Sequence, residues 1–331
     1  MANFNGIGRG LIKEGIFERF PKLIPYVDDN YYDNETHSQL LVIGESNYFD
    51  SEDAEISCFQ EANEWYKKAQ KELLIPNLLE NKVNNNGKIT ASQLKGLYHT
   101  LTKVLNRNLK ENDRYSDVAF YNYFLRPAYD DGQNNGFGKK GYFQEIDGEV
   151  AFSAFCGILK EIKPNLVIFA TKFGYDKMEY FRKKTETDFG SIVIKRVAHP
   201  SCKWWTVFGK QDFENLLIKH WIKKFQKLQT INRELRKKFN VDENQECFFD
   251  GKGNYLSCLD FRVKDSTFCC ETGVKINDDN FWTCFYKTEN SKEIPGLENK
   301  KYNFTPDISN DKIIAVIEKQ IREIIEEVSK T

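Results

Sequence analysis

Apolar residues along the chain gather in short unbroken runs, and longer stretches with apolar positions on one helical face lie between these runs. Unbroken runs are typical of strands covered on both faces, and the intervening stretches predict helices. The runs predict strands at 40–43, 117–127, 166–170 and 191–197. The stretches predict helices at 11–20, 52–74, 90–106, 150–162, 175–184, 209–225 and 226–239. This alternation predicts an α/β domain over residues 1–240, with a mostly parallel central sheet flanked by helices.

The pattern changes after residue 240. Short alternating or aromatic runs at 255–261, 267–270 and 281–286 are separated by Asp, Asn and Gly residues that favour turns. An amphipathic helix is predicted at 308–328. We therefore expect a small C-terminal α+β module over residues 241–331, and no motif in it indicates a chemistry or a protein partner.

Composition narrows the class of protein. The 331 residues are 40% hydrophobic and 29% charged, no apolar run approaches the roughly 20 residues that span a bilayer, and the first residues lack the features of a signal peptide. A cytoplasmic protein with no membrane partner is the expectation. The eight cysteines contain no Cys-x-x-Cys pair and the four histidines are scattered, so we expect free thiols and neither a metal nor another cofactor.

Charge is unevenly distributed, although the formal net charge is only -1. Between Lys203 and Lys238 the chain carries ten Lys or Arg residues against three Asp or Glu residues. Such a tract can attract a polyanion, or it can be the solvated face of a helix.

Polar residues lie after or within three of the predicted strands. Gly44, Glu45 and Ser46 follow the first, Asn122 lies within the second, and His199-Pro200-Ser201 follows the fourth. Because ligands of open α/β sheets bind at the carboxyl ends of the strands, these residues predict a single site.

These motifs, in this order over residues 39–206, resemble those of the uracil-DNA glycosylase superfamily. In that family the first core strand leads into Gly-Gln-Asp-Pro-Tyr-His or Gly-Glu-x-Pro-Gly, a later strand presents an asparagine, and the last core strand ends in His-Pro-Ser. The resemblance implies a uracil-DNA glycosylase-like fold. It also implies a DNA repair enzyme that flips uracil or another altered base out of DNA and hydrolyses its N-glycosidic bond, with DNA as partner.

The resemblance assigns roles to individual residues. Asn122 would hydrogen-bond the Watson–Crick edge of the base, and His199 would donate to the pyrimidine O2 as negative charge develops there. Tyr48 would exclude a thymine methyl group next to Gly44, and Phe49 or an aromatic residue at 121–124 would stack on the base. The alternatives are that Asn122 satisfies backbone groups at a strand end and that His199 is structural.

Contacts with DNA are expected from Ser46, from Ser201 and from the segment after His199. Ser201 would bind a phosphate, and Lys203 with Trp204 or Trp205 would stand where family members insert a wedge into the base stack. The tryptophans could instead fill the core beneath the following helix. The complete set of predicted DNA-contacting residues is Ser46, Ser201, Lys203, Trp204 and Trp205.

The first motif departs from the family at two positions. Ser46 stands where the water-activating aspartate of the best-known branch lies, and Asn47 replaces the proline. Glu45 is the remaining candidate for positioning water or stabilising the sugar cation, unless it is a solvated or capping residue. Two other functions therefore stay open: a catalytically silent binder of nucleic acid or modified bases, and an unrelated enzyme that uses Glu45 and His199 as an acid–base pair.

Overall fold

The computed structural model describes residues 16–20, 23–25, 27, 29–32, 36–46, 62–67, 118–127, 137, 142–200, 202–241, 247–250, 254–264, 266–275, 280–287, 292–293, 302–305 and 307–330. They form two compact units, one ending at Trp221 and one beginning at Ile222. The helix predicted at 90–106 lies outside the described residues.

The first unit contains a parallel sheet of four strands. They are β1 (Leu40–Gly44), β2 (Val118–Asn122), β3 (Leu166–Phe169) and β4 (Val193–Arg196), in the order β2-β1-β3-β4. Every residue of β1 from Leu40 to Ile43 is fully buried, as expected of a strand with helices on both faces. The predicted α/β sheet is thus confirmed.

Five α-helices accompany this sheet within the described residues: Ile16–Arg19, Ala62–Lys67, Glu145–Ile162, Lys172–Lys184 and Lys210–His220. The third begins at Glu145 rather than at 150 because a capping box closes its first turn. The Asp147 carboxylate accepts a hydrogen bond from the Gln144 backbone N–H at 3.0 Å. The pattern misses this start because Gln144 is an unusual capping residue.

A buried ion pair holds the segment that follows β2. Arg126 and Asp147 are both inaccessible to solvent, and the guanidinium Nη2 lies 2.6 Å from the carboxylate Oδ2. The Tyr66 hydroxyl also donates to Asp147 at 2.9 Å, and Arg126 donates to the Tyr142 carbonyl at 2.9 Å. Because each partner is hydrogen-bonded, the pair fixes the path of the chain directly after Asn122.

In its described residues, the second unit is an antiparallel sheet with two helices. Its strands are β5 (Phe248–Phe249), β6 (Asn254–Val263), β7 (Ser266–Lys275), β8 (Phe281–Lys287), β9 (Lys292–Glu293) and β10 (Tyr302–Phe304). The order is β10-β8-β7-β6-β5, with β9 paired to β8, and the helices span Lys223–Phe239 and Asn310–Lys330. Among the described residues, no helix has both the length and the apolar content needed to cross a membrane.

The division between the units differs from the boundary expected at residue 240. The helix Lys223–Phe239 belongs to the second unit because its apolar face packs on the antiparallel sheet. The Phe225 ring contacts Tyr255 of β6, and Asn232 accepts a hydrogen bond from Ser257 at 2.5 Å. The helix predicted at 209–225 correspondingly ends at His220.

Candidate functional site

The carboxyl edge of the parallel sheet gathers polar residues from all four strands. Glu45 follows β1, Asn122 ends β2, Thr171 lies two residues after β3, and His199 lies three residues after β4. The strand order places Glu45 and Thr171 at the centre of this edge, between Asn122 and His199. From the usual spacing of strands, β2 and β4 are about 14 Å apart, so Asn122 and His199 lie on opposite sides of this edge.

Glu45 is held by two hydrogen bonds from other parts of the chain. Its Oε2 accepts from the Thr171 hydroxyl at 2.8 Å, and its Oε1 accepts from the backbone N–H of Phe137 at 2.9 Å. The side chain is half-buried. The two donors fix the orientation of the carboxylate, and each oxygen retains a lone pair for a further donor.

Thr171 connects this carboxylate to the helix Lys172–Lys184. It is the N-cap of that helix, its hydroxyl accepts from the Gly174 N–H at 3.2 Å, and its side chain is buried. The same hydroxyl donates its proton to Glu45. Sequence reasoning missed Thr171, although it follows a buried strand and precedes a helix, which is the signal that identified the other strand-end residues.

The absence of a side chain at Gly44 leaves space for the Asn122 side chain at this edge. The two residues are partners in the register of β1 and β2, and a Cβ on Gly44 would lie 2.3 Å from the Asn122 Oδ1. The half-buried carboxamide therefore lies over the Gly44 backbone, and any larger residue would displace it. The glycine of the first motif thus leaves room for the Asn122 amide between the strands.

His199 is half-buried and lies within electrostatic range of Glu45. Burial lowers the pKa of the imidazole below its ordinary value of 6.5, and the negative charge of Glu45 partly opposes that shift. The ring is consequently neutral at pH 7, with one nitrogen as hydrogen-bond donor and the other as acceptor. The two predicted catalytic residues are thus brought together.

Ser46 points into the protein. Its side chain is only 6% exposed, and its hydroxyl oxygen has no hydrogen-bond partner among the described residues. It does not present a surface for DNA phosphates in this arrangement, and it leaves a polar atom next to Glu45 that a bound group or water can satisfy. The predicted positions Tyr48, Phe49 and Ser201 lie outside the described residues.

The adjacent tryptophans have opposite environments. Trp205 is 4% exposed and packs against Phe213, so it fills the core as the alternative interpretation expected. Trp204 is 51% exposed, stacks on Phe208 at 5.7 Å between ring centroids, and has the Lys203 ammonium 5.0 Å from its ring. Of the predicted DNA-contacting residues that the structure describes, Trp204 and Lys203 are exposed.

Phe137 is the second residue that holds Glu45 and that the sequence did not indicate. It donates through its backbone, and its ring is buried against Phe124 at 4.3 Å between centroids. The donor is a backbone N–H, which does not depend on the residue type, so the sequence carried no signal for this contact. Among the described residues, no group of three or more His, Cys, Asp or Glu side chains is arranged to hold a metal ion.

No model of a protein family matches the chain, and no curated protein matches it.

Proposed function

We propose that the first unit is a divergent uracil-DNA glycosylase-like domain that hydrolyses the N-glycosidic bond of uracil or another altered base in DNA. The observation that carries the proposal is the grouping of Asn122, Glu45 and His199 at the carboxyl edge of one parallel sheet. An amide, a carboxylate and a neutral imidazole provide base recognition, a site for water and a donor for the leaving group.

Asn122 is assigned to base recognition. A carboxamide offers one acceptor and two donors, which match the O4 and N3–H groups of a flipped uracil. The close approach to Gly44 supports this role because it restricts the positions available to the amide. A restricted amide loses less conformational entropy when it binds a base.

His199 is assigned to donating a hydrogen bond to the departing base. Cleavage of the bond between the sugar C1′ and the base nitrogen leaves negative charge on the base, and a neutral imidazole N–H directed at O2 stabilises that charge. The lowered pKa of His199 supports a neutral donor. Its acid–base state then need not change during the reaction.

Glu45 is assigned to stabilising the sugar cation and positioning water. Water adds its oxygen to C1′ as the base leaves as an anion, and the proton that the water loses goes to that base. A carboxylate beside C1′ stabilises the cationic sugar and accepts a hydrogen bond from the water. The hydrogen bonds from Thr171 and Phe137 support a fixed carboxylate. Exposed Trp204 and Lys203 would contact unpaired bases and phosphate beside the site.

A second candidate function is recognition without cleavage. Two donors already occupy part of the acceptor capacity of Glu45, and the family aspartate is replaced by Ser46. A serine cannot supply the negative charge of an aspartate. These observations favour a binder of altered bases in which the pocket has lost hydrolysis.

The test is an assay for abasic sites. The full chain is incubated with single- and double-stranded oligonucleotides that contain uracil or another altered pyrimidine, and alkali then cleaves any abasic site. We expect product from at least one altered base and none from unmodified DNA. Base-dependent binding without product would establish the binder, and binding to neither DNA would reject both functions.

Substitutions at the edge test the assignments. His199→Ala should lower the rate about 10² to 10³-fold because a donor to developing charge is lost. Asn122→Ala should cost about 1–3 kcal/mol of base discrimination. Rates and melting temperatures are measured together, with His220→Ala and Asn215→Ala as controls elsewhere in the unit. A large fall in melting temperature with either edge variant would support a structural role instead.

A further inference from the structure

Large exposed hydrophobic side chains cluster at one place in the first unit. Trp204, Val207 and Phe208 are 51%, 68% and 45% exposed, and they lie on or directly before the π-helical turn Trp205–Gly209. Elsewhere in the described residues such side chains are exposed singly, at Tyr32, Tyr180 and Phe248. Single exposed hydrophobic residues are ordinary, whereas a cluster indicates a surface that contacts a partner.

Trp204 and Phe208 form a continuous aromatic surface, which we call the aromatic platform. Their ring centroids are 5.7 Å apart, and their planes differ by 26°. The turn that carries them is anchored, because Trp205 is buried and a Cβ on Gly209 would lie 2.7 Å from the Ala198 Cβ. An anchored pair of large rings loses little conformational freedom when a ligand stacks on it.

The turn is joined to the strand end that carries His199. The Cys202 N–H donates to the His199 carbonyl at 2.9 Å, and the Trp205 N–H donates to the Cys202 carbonyl at 3.0 Å. A ligand bound at the aromatic platform is therefore held by the segment of chain that continues directly from the candidate site.

The chain around the aromatic platform is basic. Residues 189–211 include four Lys or Arg residues and no Asp or Glu. Three of the four are exposed, namely Lys195, Arg196 and Lys203. The Lys203 ammonium lies 5.0 Å from the Trp204 ring. Positive charge beside exposed rings complements a ligand that presents phosphates and flat bases together.

Stacking on the aromatic platform requires a base whose face is free. In a duplex the neighbouring pairs cover each base face, and separating two pairs costs energy. In a single strand the faces are accessible, and any base can stack on an aromatic side chain. Trp204 would also have to leave Phe208 to enter a duplex as a wedge. The geometry therefore favours an unpaired strand.

We propose that the aromatic platform binds single-stranded DNA, and that single-stranded rather than duplex DNA is the substrate class of the candidate site. Trp204 and Phe208 stack on unpaired bases, and Lys203 contacts a phosphate. The assignment of the substrate rests on the proposed function, whereas binding at the aromatic platform requires no altered base.

The test measures binding of the full chain to fluorescent oligonucleotides by anisotropy. The probes are an unmodified single-stranded DNA, the duplex of the same sequence and an RNA of that sequence. We expect the single-stranded DNA to bind at least about tenfold more tightly than the duplex, which must first be unstacked. Equal or tighter binding of the duplex or the RNA would overturn the proposal, as would binding only to phosphatidylserine vesicles.

Variants locate the binding surface. Trp204→Ala and Phe208→Ala should each weaken single-strand binding about 5- to 150-fold and leave duplex binding unchanged. Tyr180→Ala is the matched control, because Tyr180 is 49% exposed on another helix with the Lys177 and Lys184 ammonium groups 5.8 and 5.9 Å from its ring. An equal loss in the control, or no loss in either platform variant, would contradict the proposal.

Salt dependence tests the phosphate contact. Lys203→Gln should reduce the slope of log K against log salt concentration by about 0.7, because one phosphate contact of a single strand is lost. An unchanged slope would remove Lys203 from the interface.

The assay for abasic sites separates this inference from the proposed function. Trp204-dependent binding of unmodified single strands, without product from any altered base, would support the aromatic platform and reject the glycosylase. Faster product formation in duplex than in single strands would support the glycosylase and overturn the assignment of its substrate class.

Discussion

At the scale of single residues, Glu45 acts on the protonation of His199. The imidazole is kept neutral by burial, and the nearby carboxylate moderates that effect. The folded pKa of His199 lies below its unfolded value, so only the unfolded chain gains a proton as the pH falls through 6.5. His199 therefore lowers stability progressively below that pH until the folded imidazole also titrates, and it has no such effect above it.

Replacing Glu45 with glutamine tests this coupling directly. The negative charge of Glu45 raises the pKa of His199, so Glu45→Gln should lower that pKa further. Titration of the His199 ring protons by NMR measures the shift, and Glu149→Gln on the exposed side of a helix is the control. An unchanged His199 pKa in Glu45→Gln would show that the two side chains do not meet.

At the scale of elements, a π-helical turn at Trp205–Gly209 determines which aromatic residues face solvent. Trp205 and Gly209 point inward, and a Cβ on Gly209 would lie 2.7 Å from the Ala198 Cβ. Trp204 and Phe208 point outward and stack on each other. The turn thus packs directly against the residue before His199 and leaves Trp204 exposed.

The two tryptophans should respond differently to substitution. Trp205→Ala removes a buried ring and should cost about 3–5 kcal/mol of unfolding free energy, whereas Trp204→Ala should change it by about 0.5 kcal/mol or less. Trp204→Ala should weaken binding to single-stranded DNA by about 1–3 kcal/mol. Denaturant unfolding and fluorescence anisotropy measure the two effects. Equal stability losses for both variants would contradict the assigned orientations.

At the scale of the whole molecule, the chain divides into two units with separate sheets. In the second unit, the helix Asn310–Lys330, which the pattern predicts at 308–328, buries its apolar face, on which Ile313, Ile317 and Ile321 are fully buried. Lys238 on one helix pairs with Glu318 on the other at 2.6 Å. The helix Lys223–Phe239 is therefore part of the second core.

Fragments of the chain test this division. A fragment ending at Trp221 should unfold cooperatively, because it keeps the parallel sheet and its helices together. A fragment ending at residue 240 adds a helix whose residues Phe225, Leu228 and Ile231 have lost the sheet that buries them. It should bind a hydrophobic dye more strongly than the shorter fragment. Equal dye binding would place the helix in the first core.

The sequence alone determined the parallel strands, because unbroken apolar runs such as Leu40–Ile43 have few alternatives to a strand buried on both faces. It also indicated Glu45 and His199, since polar residues that follow such a run fall at a sheet edge, whereas Asn122 is predicted within a strand that the structure ends at that residue. Local pattern fixes these features because each depends on residues that are neighbours in the chain.

Only the tertiary structure decided which residues meet. Thr171 and the Phe137 N–H reach Glu45 from 126 and 92 residues away, and the pairing of β6 with β7 places Cys258 beside Glu271. The helix Lys223–Phe239 lies in the second unit, whereas the pattern predicts a boundary at residue 240, because an apolar stripe does not specify the sheet that covers it. Contacts distant in sequence depend on strand order and register, and residue type encodes neither.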